Sequence, residues 1–198
     1  MVSLRARLAA VNTVMYGGPM TEQLSAKDWL DEGLRTLARS GFTALKAEPL
    51  AKAMGVSRGS FYWHFADVDT FHAAVLQHWR EVAVEQIIAA VEATPADQGP
   101  MEQLLRRAFS RRSAVEGAIR SWATHDPAAR TTVEAVDQRR LDYLESLLET
   151  SAVAPDIARA RARILYWAYL GFAWSETPLP RGTQDAALDE LIRIASRP

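Results

Sequence analysis

Residues 48–65, Glu-Pro-Leu-Ala-Lys-Ala-Met-Gly-Val-Ser-Arg-Gly-Ser-Phe-Tyr-Trp-His-Phe, leave the chain little conformational choice. Gly55 can close a helix in the left-handed conformation without a Cβ penalty. Val56 can then pack into the corner, and Ser57 is a good N-cap for the helix that follows. That helix opens with Arg58-Gly59-Ser60, slim enough at its N-terminal end to enter a major groove. It closes with Phe61 to Phe65, where apolar anchors alternate with the polar-tipped Tyr62 and His64. Two short helices joined by a tight turn, the second presenting small polar residues, make a helix-turn-helix whose recognition helix is the second. Phe61 and Trp63 are expected to pack the core of a small three-helix head, because aromatics dominate such cores.

Elsewhere apolar residues recur at helical spacing, and no segment keeps a period of two, so the fold class is all-α. Asp67 can cap a helix whose inner stripe reads Phe71, Val75, Trp79 and Val82, continued by Ile87 and Val91. Thr94 to Pro100 breaks the chain. Leu104, Leu105, Ala108 and Phe109 mark the next helix, and Val115, Ile119 and Trp122 the one after. Asp126 and Pro127 form a stop and restart, N-cap followed by N1. Val133, Val136, Leu141, Leu144, Leu147 and Leu148 stripe a long helix, and Pro155 opens another that runs to about Glu176. A final helix carries Leu188, Leu191, Ile192 and Ala195 on one face. The pattern predicts about nine helices: an N-terminal extension over 1–20, a head over 21–66, and a larger helical half over 67–198. The seam falls inside the helix that begins at Asp67, so no flexible linker is expected.

Charge narrows the function. A formal net charge of −1 excludes nucleic-acid affinity through global basicity, so it must come from a local patch. Between Lys46 and His64 that patch exists, with Lys46, Lys52 and Arg58 opposed only by Glu48. Zero cysteines leave neither a disulfide framework nor a thiolate metal site, which suits a cytoplasmic protein. The apolar run from Ile164 to Trp174 is too short to span a bilayer, and residues 1–19 lack the long apolar region of a secretory signal. His64, His72, His78 and His125 are not at metal-ligand spacings, and no nucleophile elbow, P-loop or dinucleotide fingerprint is present. Neither catalysis, a metal nor a cofactor is expected.

Three blocks at matching separations resemble the tetracycline-repressor (TetR) family of bacterial transcription regulators over roughly residues 25 to 80. Trp29 to Phe42 looks like the family's first helix with its glycine stop and phenylalanine plug, Leu50 to Ser57 like helix two and the turn, and Arg58 to Phe65 like the recognition helix. The resemblance implies that Lys46, Tyr62 and His64 meet phosphates and that Ser57 and Ser60 meet phosphates or base edges. Arg58 is the best base reader, since a guanidinium can bond guanine O6 and N7 together, and Gly59 lets the helix approach closely. One departure stands out. Where many members carry a lysine after the last phenylalanine, this chain has Ala66-Asp67-Val68-Asp69, which suits a helix start and weakens the hold on the DNA backbone. Either Arg5 and Arg7 offer a compensating arm, or Met20 begins a member of more ordinary length and the stretch before it is disordered or absent.

The resemblance also implies a dimer and an internal effector cavity in the larger half. Aromatics with polar tips, paired with cations, single out Arg120, Trp122, His125, Tyr143, Tyr166 and Tyr169 for the pocket, together with Trp167 and Arg140, and a small apolar or amphipathic effector. For the dimer, Tyr166, Leu170, Trp174, Leu188, Leu191 and Ile192 are the candidates, on two helices that pair with a second copy as a four-helix bundle. The expected function is a ligand-responsive regulator, a repressor on a pseudo-palindromic operator. An activator, or a repressor answering to a protein partner, is the alternative within DNA binding. A helical small-molecule carrier or interaction domain with a vestigial head is the alternative outside it.

Overall fold

The computed structural model describes residues 24–95, 99–110, 113–175, 177 and 179–197. The expected arm bearing Arg5 and Arg7 lies outside the described residues. The helices are α1 (Ala26–Ser40), α2 (Ala47–Ala53), α3 (Arg58–Tyr62), α4 (Val68–Arg80), α5 (Gln86–Glu92), α6 (Pro100–Ala108), α7 (Ala114–Ala123), α8 (Pro127–Thr150), α9 (Pro155–Trp174) and α10 (Arg181–Ala195). A π-helical turn over Glu81–Glu85 joins α4 to α5 without a break. With that rod counted once, the described residues form nine helices and no strand, the all-α architecture that the periodicity predicts.

Helix ends fall where short polar side chains and glycines dictate. Ser25 and Asp28 form a reciprocal capping box on α1. Asp67 accepts a 2.7 Å hydrogen bond from the Thr70 N–H, and Asp126 one of 2.8 Å from that of Ala129, with Pro127 in the first turn of α8. Gly55 takes φ +69°. The N–H groups of Gly55 and Val56 then donate to the Lys52 and Ala51 carbonyls, at 3.3 and 3.0 Å, which is a Schellman closure of α2.

The α4–α5 rod departs from the expected stripe. Phe71, Val75 and Trp79 are buried as predicted, but the next buried positions are Val84, Ile88 and Val91, while Val82 is 39% exposed and Ile87 half-buried. The step from Trp79 to Val84 is one residue longer than an α-helix allows. The π turn absorbs that residue, since its i→i+5 bonding takes one more residue into the turn. A regular 3.6-residue reading therefore loses phase at Glu81.

In the head, Trp29 stands edge-on to Phe61 at 5.4 Å, and Phe61 meets Phe65 and Phe71 at 5.3 and 5.2 Å. Phe71 comes from α4, so the head's core is completed by the rod rather than closed on itself. Gly33 permits this approach: a Cβ there would meet Phe71 Cζ at 2.9 Å and Val75 Cγ2 at 3.0 Å.

Candidate nucleic-acid interface and cavity

Phe61 is fully buried in the middle of α3, and this fixes what the helix shows to solvent. Ser57, Arg58, Gly59 and Tyr62 are exposed, Ser60 and His64 half-buried, and Lys46 lies exposed at the start of α2. The seven head residues singled out from the sequence are thus all exposed or half-buried. Ser57 occupies the N-cap position, but its hydroxyl makes no cap hydrogen bond. Arg58 and Tyr62 are coupled one helical turn apart: Nη2 donates to the phenolic oxygen at 3.1 Å, and the guanidinium lies 5.6 Å from the ring centroid.

Trp63 corrects the sequence reading. It was expected in the head's core and is 83% exposed. Phe61 and Phe65 share the inward face at i and i+4, and a residue two positions on from Phe61 is turned about 200° away from it. The phase of the two buried phenylalanines carried this signal.

A cavity of about 600 Å³ lies among the α4–α5 rod, α6, α7, α8 and α9. Tyr143, Tyr166, Tyr169 and Arg140 line it, together with Leu34 from the head, Trp79, Phe109 and Glu116. The pocket candidates Arg120, Trp122 and His125 are not in the lining, and neither is Trp167, which is 65% exposed. Val82 and Ile87, displaced from the core by the π turn, contribute to the wall.

Glu116, which the sequence reading passed over, organises the polar side of this cavity. It is 1% exposed. Its Oε1 accepts from Arg120 Nε at 2.9 Å and Arg140 Nη1 at 3.0 Å; its Oε2 accepts from Arg140 Nη2 at 3.0 Å and the Tyr169 hydroxyl at 3.4 Å. Arg120 stands behind, bonded through Nη1 to Asp137 at 3.0 Å and through Nη2 to the Tyr166 hydroxyl at 2.8 Å. Arg140 is flanked by the Trp79 and Tyr169 rings, at 5.8 and 5.2 Å, and also reaches the Ala83 carbonyl in the π turn at 3.4 Å. Burial opposes both guanidinium charges, yet Asp137, Glu116 and the tyrosines hold them above the usual arginine range. Burial pushes the Tyr169 hydroxyl up to about 12 and raises that of Tyr166 as well. One sequence signal did exist: Glu116 lies one turn before Arg120 on an otherwise apolar helix.

Trp122 lies where α7 meets the head. It is 3% exposed, stacked on Phe42 at 4.5 Å and edge-on to His72 at 5.5 Å. His72 is itself hydrogen-bonded through Nε2 to the Leu45 carbonyl at 2.8 Å. His125 is exposed.

Among the dimer candidates, Tyr166 and Leu188 are buried inside their own subunit, and Leu170, Leu191 and Ile192 pack half-buried against its core. These side chains face inward because α9 and α10 must cover α6 and α8. Trp174 is the exception, at 58% exposed. It continues an outward stripe on α9, Ile157, Ala160, Ile164, Trp167, Gly171 and Trp174, in alternating steps of three and four, all exposed.

The geometry defines an all-helical protein with a helix-turn-helix head joined through a shared core to a cavity-bearing half. Residues 30–71 match the family described as bacterial regulatory proteins, tetR family. A search of curated proteins gives no match. Among solved structures, a transcriptional regulator from Saccharomonospora viridis in complex with choline is similar with a TM-score of 0.67 at 13% identity, over 85% of this chain and 95% of that one. SCO4454, a TetR-family transcriptional regulator from Streptomyces coelicolor, gives 0.66 at 20% identity over 87% and 90%. AibR in complex with isovaleryl coenzyme A and operator DNA gives 0.63 at 15% identity over 84% and 97%. At these identities the likeness is one of fold: this chain has the fold of TetR-family transcriptional regulators. Among the described residues no helix is long and apolar enough to cross a membrane.

Proposed function

We propose that the protein is a cytoplasmic, ligand-responsive transcriptional regulator, a repressor that binds a pseudo-palindromic operator as a homodimer and leaves it when a small molecule fills the cavity. In this reading residues 21–66 are the DNA-binding head and 67–198 the effector and dimer half. The observation that carries it is the α3 face: Ser57, Arg58, Gly59 and Tyr62 exposed above a buried Phe61. Phosphates position such a helix and a few base contacts specify the site. Arg58, released from Tyr62, reads a guanine, while Lys46, Tyr62 and His64 hold the backbone, with Ser57 and Ser60 free for either. AibR, solved with both an acyl-coenzyme A and operator DNA, gives the reading a precedent of the same fold.

The coupling runs along α7. Glu116 lies at the cavity and Trp122 against Phe42 of the head, six residues apart, or about 9 Å at 1.5 Å per residue. A ligand that moves α7 therefore shifts the population of head positions.

Selection from a random duplex pool should enrich an inverted repeat. Arg58→Ala should then lower affinity for it by about 1–3 kcal/mol and relax the preference at one base pair per half-site. No enrichment even at low salt would favour the carrier reading.

The dimer in this proposal forms through the exposed α9 stripe. Its three-four spacing is that of a helix seam, and a two-fold axis presents the same stripe on both copies. Such a pair sets the two recognition helices on successive half-sites. Trp167→Asp should yield a monomer in sedimentation and lose operator binding, with the subunit still folded because Trp167 is 65% exposed. A wild-type chain that sediments as a monomer at micromolar concentration would sink the dimer.

A further inference from the structure

Among the described residues, the cavity wall comes from the larger half with one exception. Leu34, on α1, is the lining residue that belongs to the head, and it is 9% exposed. It sits among the residues by which the head rests on the rod. Three positions earlier, Asp31 Oδ1 and His78 Nε2 of α4 share a 2.6 Å hydrogen bond. At the position just before it, Gly33 stands so close to Phe71 and Val75 that a Cβ has no room. The seat of the head and one part of the cavity wall are therefore the same short stretch of α1.

This helix is built to pass a push on as one body. Its first turn is closed by the Ser25–Asp28 capping box. Glu32 braces it along one side, accepting from Arg35 Nε at 2.8 Å and from Thr36 Oγ1 and Arg39 Nη2 at 3.1 Å each. A close-packed interior transmits strain, and at Gly33 no slack remains to absorb it. A group that crowds Leu34 must then tilt or slide the whole helix. Five residues back, about 7.5 Å along the axis at 1.5 Å per residue, α1 carries Trp29, whose ring stands edge-on to Phe61 of the recognition helix. Both of those side chains are fully buried. A single helix thus joins the cavity to α3.

We propose that Leu34 is the residue through which an occupant of the cavity acts on the head: of two ligands held in the same cavity, the one that reaches Leu34 releases DNA, and the shorter one only binds. An occupant shifts the head only by fitting one of its positions better than another, and contact with Leu34 supplies that difference. This rests on the cavity being the effector site and adds how its occupant is read, by a route more direct than the one along α7. Leu34 is in this sense a specificity-determining residue of the response.

Hexanol, octanol and decanol test this on the full chain, since uncharged probes favour neither Arg107 and Arg140 nor Glu116 of the lining. Isothermal titration should show affinity rising about fourfold per added methylene, as burial in an apolar wall provides. At saturation decanol should lower affinity for the selected inverted repeat by about tenfold or more, and hexanol by less than about twofold. Leu34→Ala should hold the repeat through saturating decanol. Leu34→Val, smaller than leucine by one methylene and so gentler on the head's packing, should respond to an intermediate degree. Comparison at saturation keeps any change in alcohol affinity out of the result, and binding of the repeat without alcohol shows that each variant's head is intact. Decanol that releases both variants as fully as wild type would overturn the proposal and leave the cavity and the α7 route standing. So would equal release by all three alcohols at saturation. Decanol that binds wild type without releasing DNA would overturn the effector reading together with the proposal. Failure of all three alcohols to bind would overturn the cavity reading, and this proposal with it.

Discussion

Glu116→Ala is expected to lower the unfolding free energy by about 3–5 kcal/mol, the range for removing one partner from a buried ion pair. The carboxylate is 1% exposed and receives two arginines and a tyrosine. Arg120 keeps Asp137 and Tyr166 after the change. Arg140 keeps only the Ala83 carbonyl, so its charge is left in an apolar wall without a counter-ion. Water entering from the adjacent cavity moves the loss toward the lower end of the range. Replacing both partners, as in Glu116→Met with Arg140→Met, should recover most of it, because well-packed apolar side chains need no counter-charge. Urea unfolding followed by circular dichroism measures both. A loss below about 1 kcal/mol for the single variant would mean that the arginines find other partners, and the network would no longer explain why α7 and α8 meet as they do.

Trp122→Ala should cost a similar amount, about 3–5 kcal/mol, as expected for truncating a buried core tryptophan. The indole is 3% exposed and packs against both Phe42 and His72, so its loss opens a gap between α7 and the head rather than in the cavity wall. That distinction is measurable with the milder Trp122→Phe. This variant should hold a small molecule that binds the cavity within about threefold of wild type, since the mutation lies outside the lining, while loosening the link through which the cavity is proposed to reach the head. A tenfold loss of that affinity in Trp122→Phe would return Trp122 to the ligand site.

The head was legible because its signals are local. Gly55 and the Phe61–Phe65 pair act over a few residues and the structure realises the turn that each favours, while Ser57 takes the N-cap position without a cap hydrogen bond. The helix starts at Asp67 and Asp126 were legible for the same reason. What sequence missed is decided by phase or by partners far along the chain. Trp63 looked apolar enough for a core, but its angle from Phe61 turned it outward. Trp122 and Tyr143 are both buried aromatics at helical spacing, and nothing local tells a residue that touches Phe42 from one that faces a cavity. Glu116 and Arg120 lie one turn apart on α7, but Asp137 and Arg140 join them only through tertiary packing of α7 on α8. The outward stripe of α9 is spaced as regularly as a core stripe, and only the position of the other helices shows which face is which.

The π turn at Glu81–Glu85 has a bearing on chain length. A rod buried along one face from Phe71 to Val91 has no freedom to gain or lose a residue, because each one rotates everything beyond it by about 100°. This rod nevertheless carries one residue more than its buried stripe can use, and holds it at a single place, beside the cavity. The surplus does not propagate: Ile88 and Val91 return to the core as though it were not there. Insertion is thereby converted from a fault in register into local wall, with Val82 and the Ala83 carbonyl that Arg140 reaches as its yield. A cavity can thus be enlarged and re-lined in this frame by editing the number of residues in one helix, without moving the head.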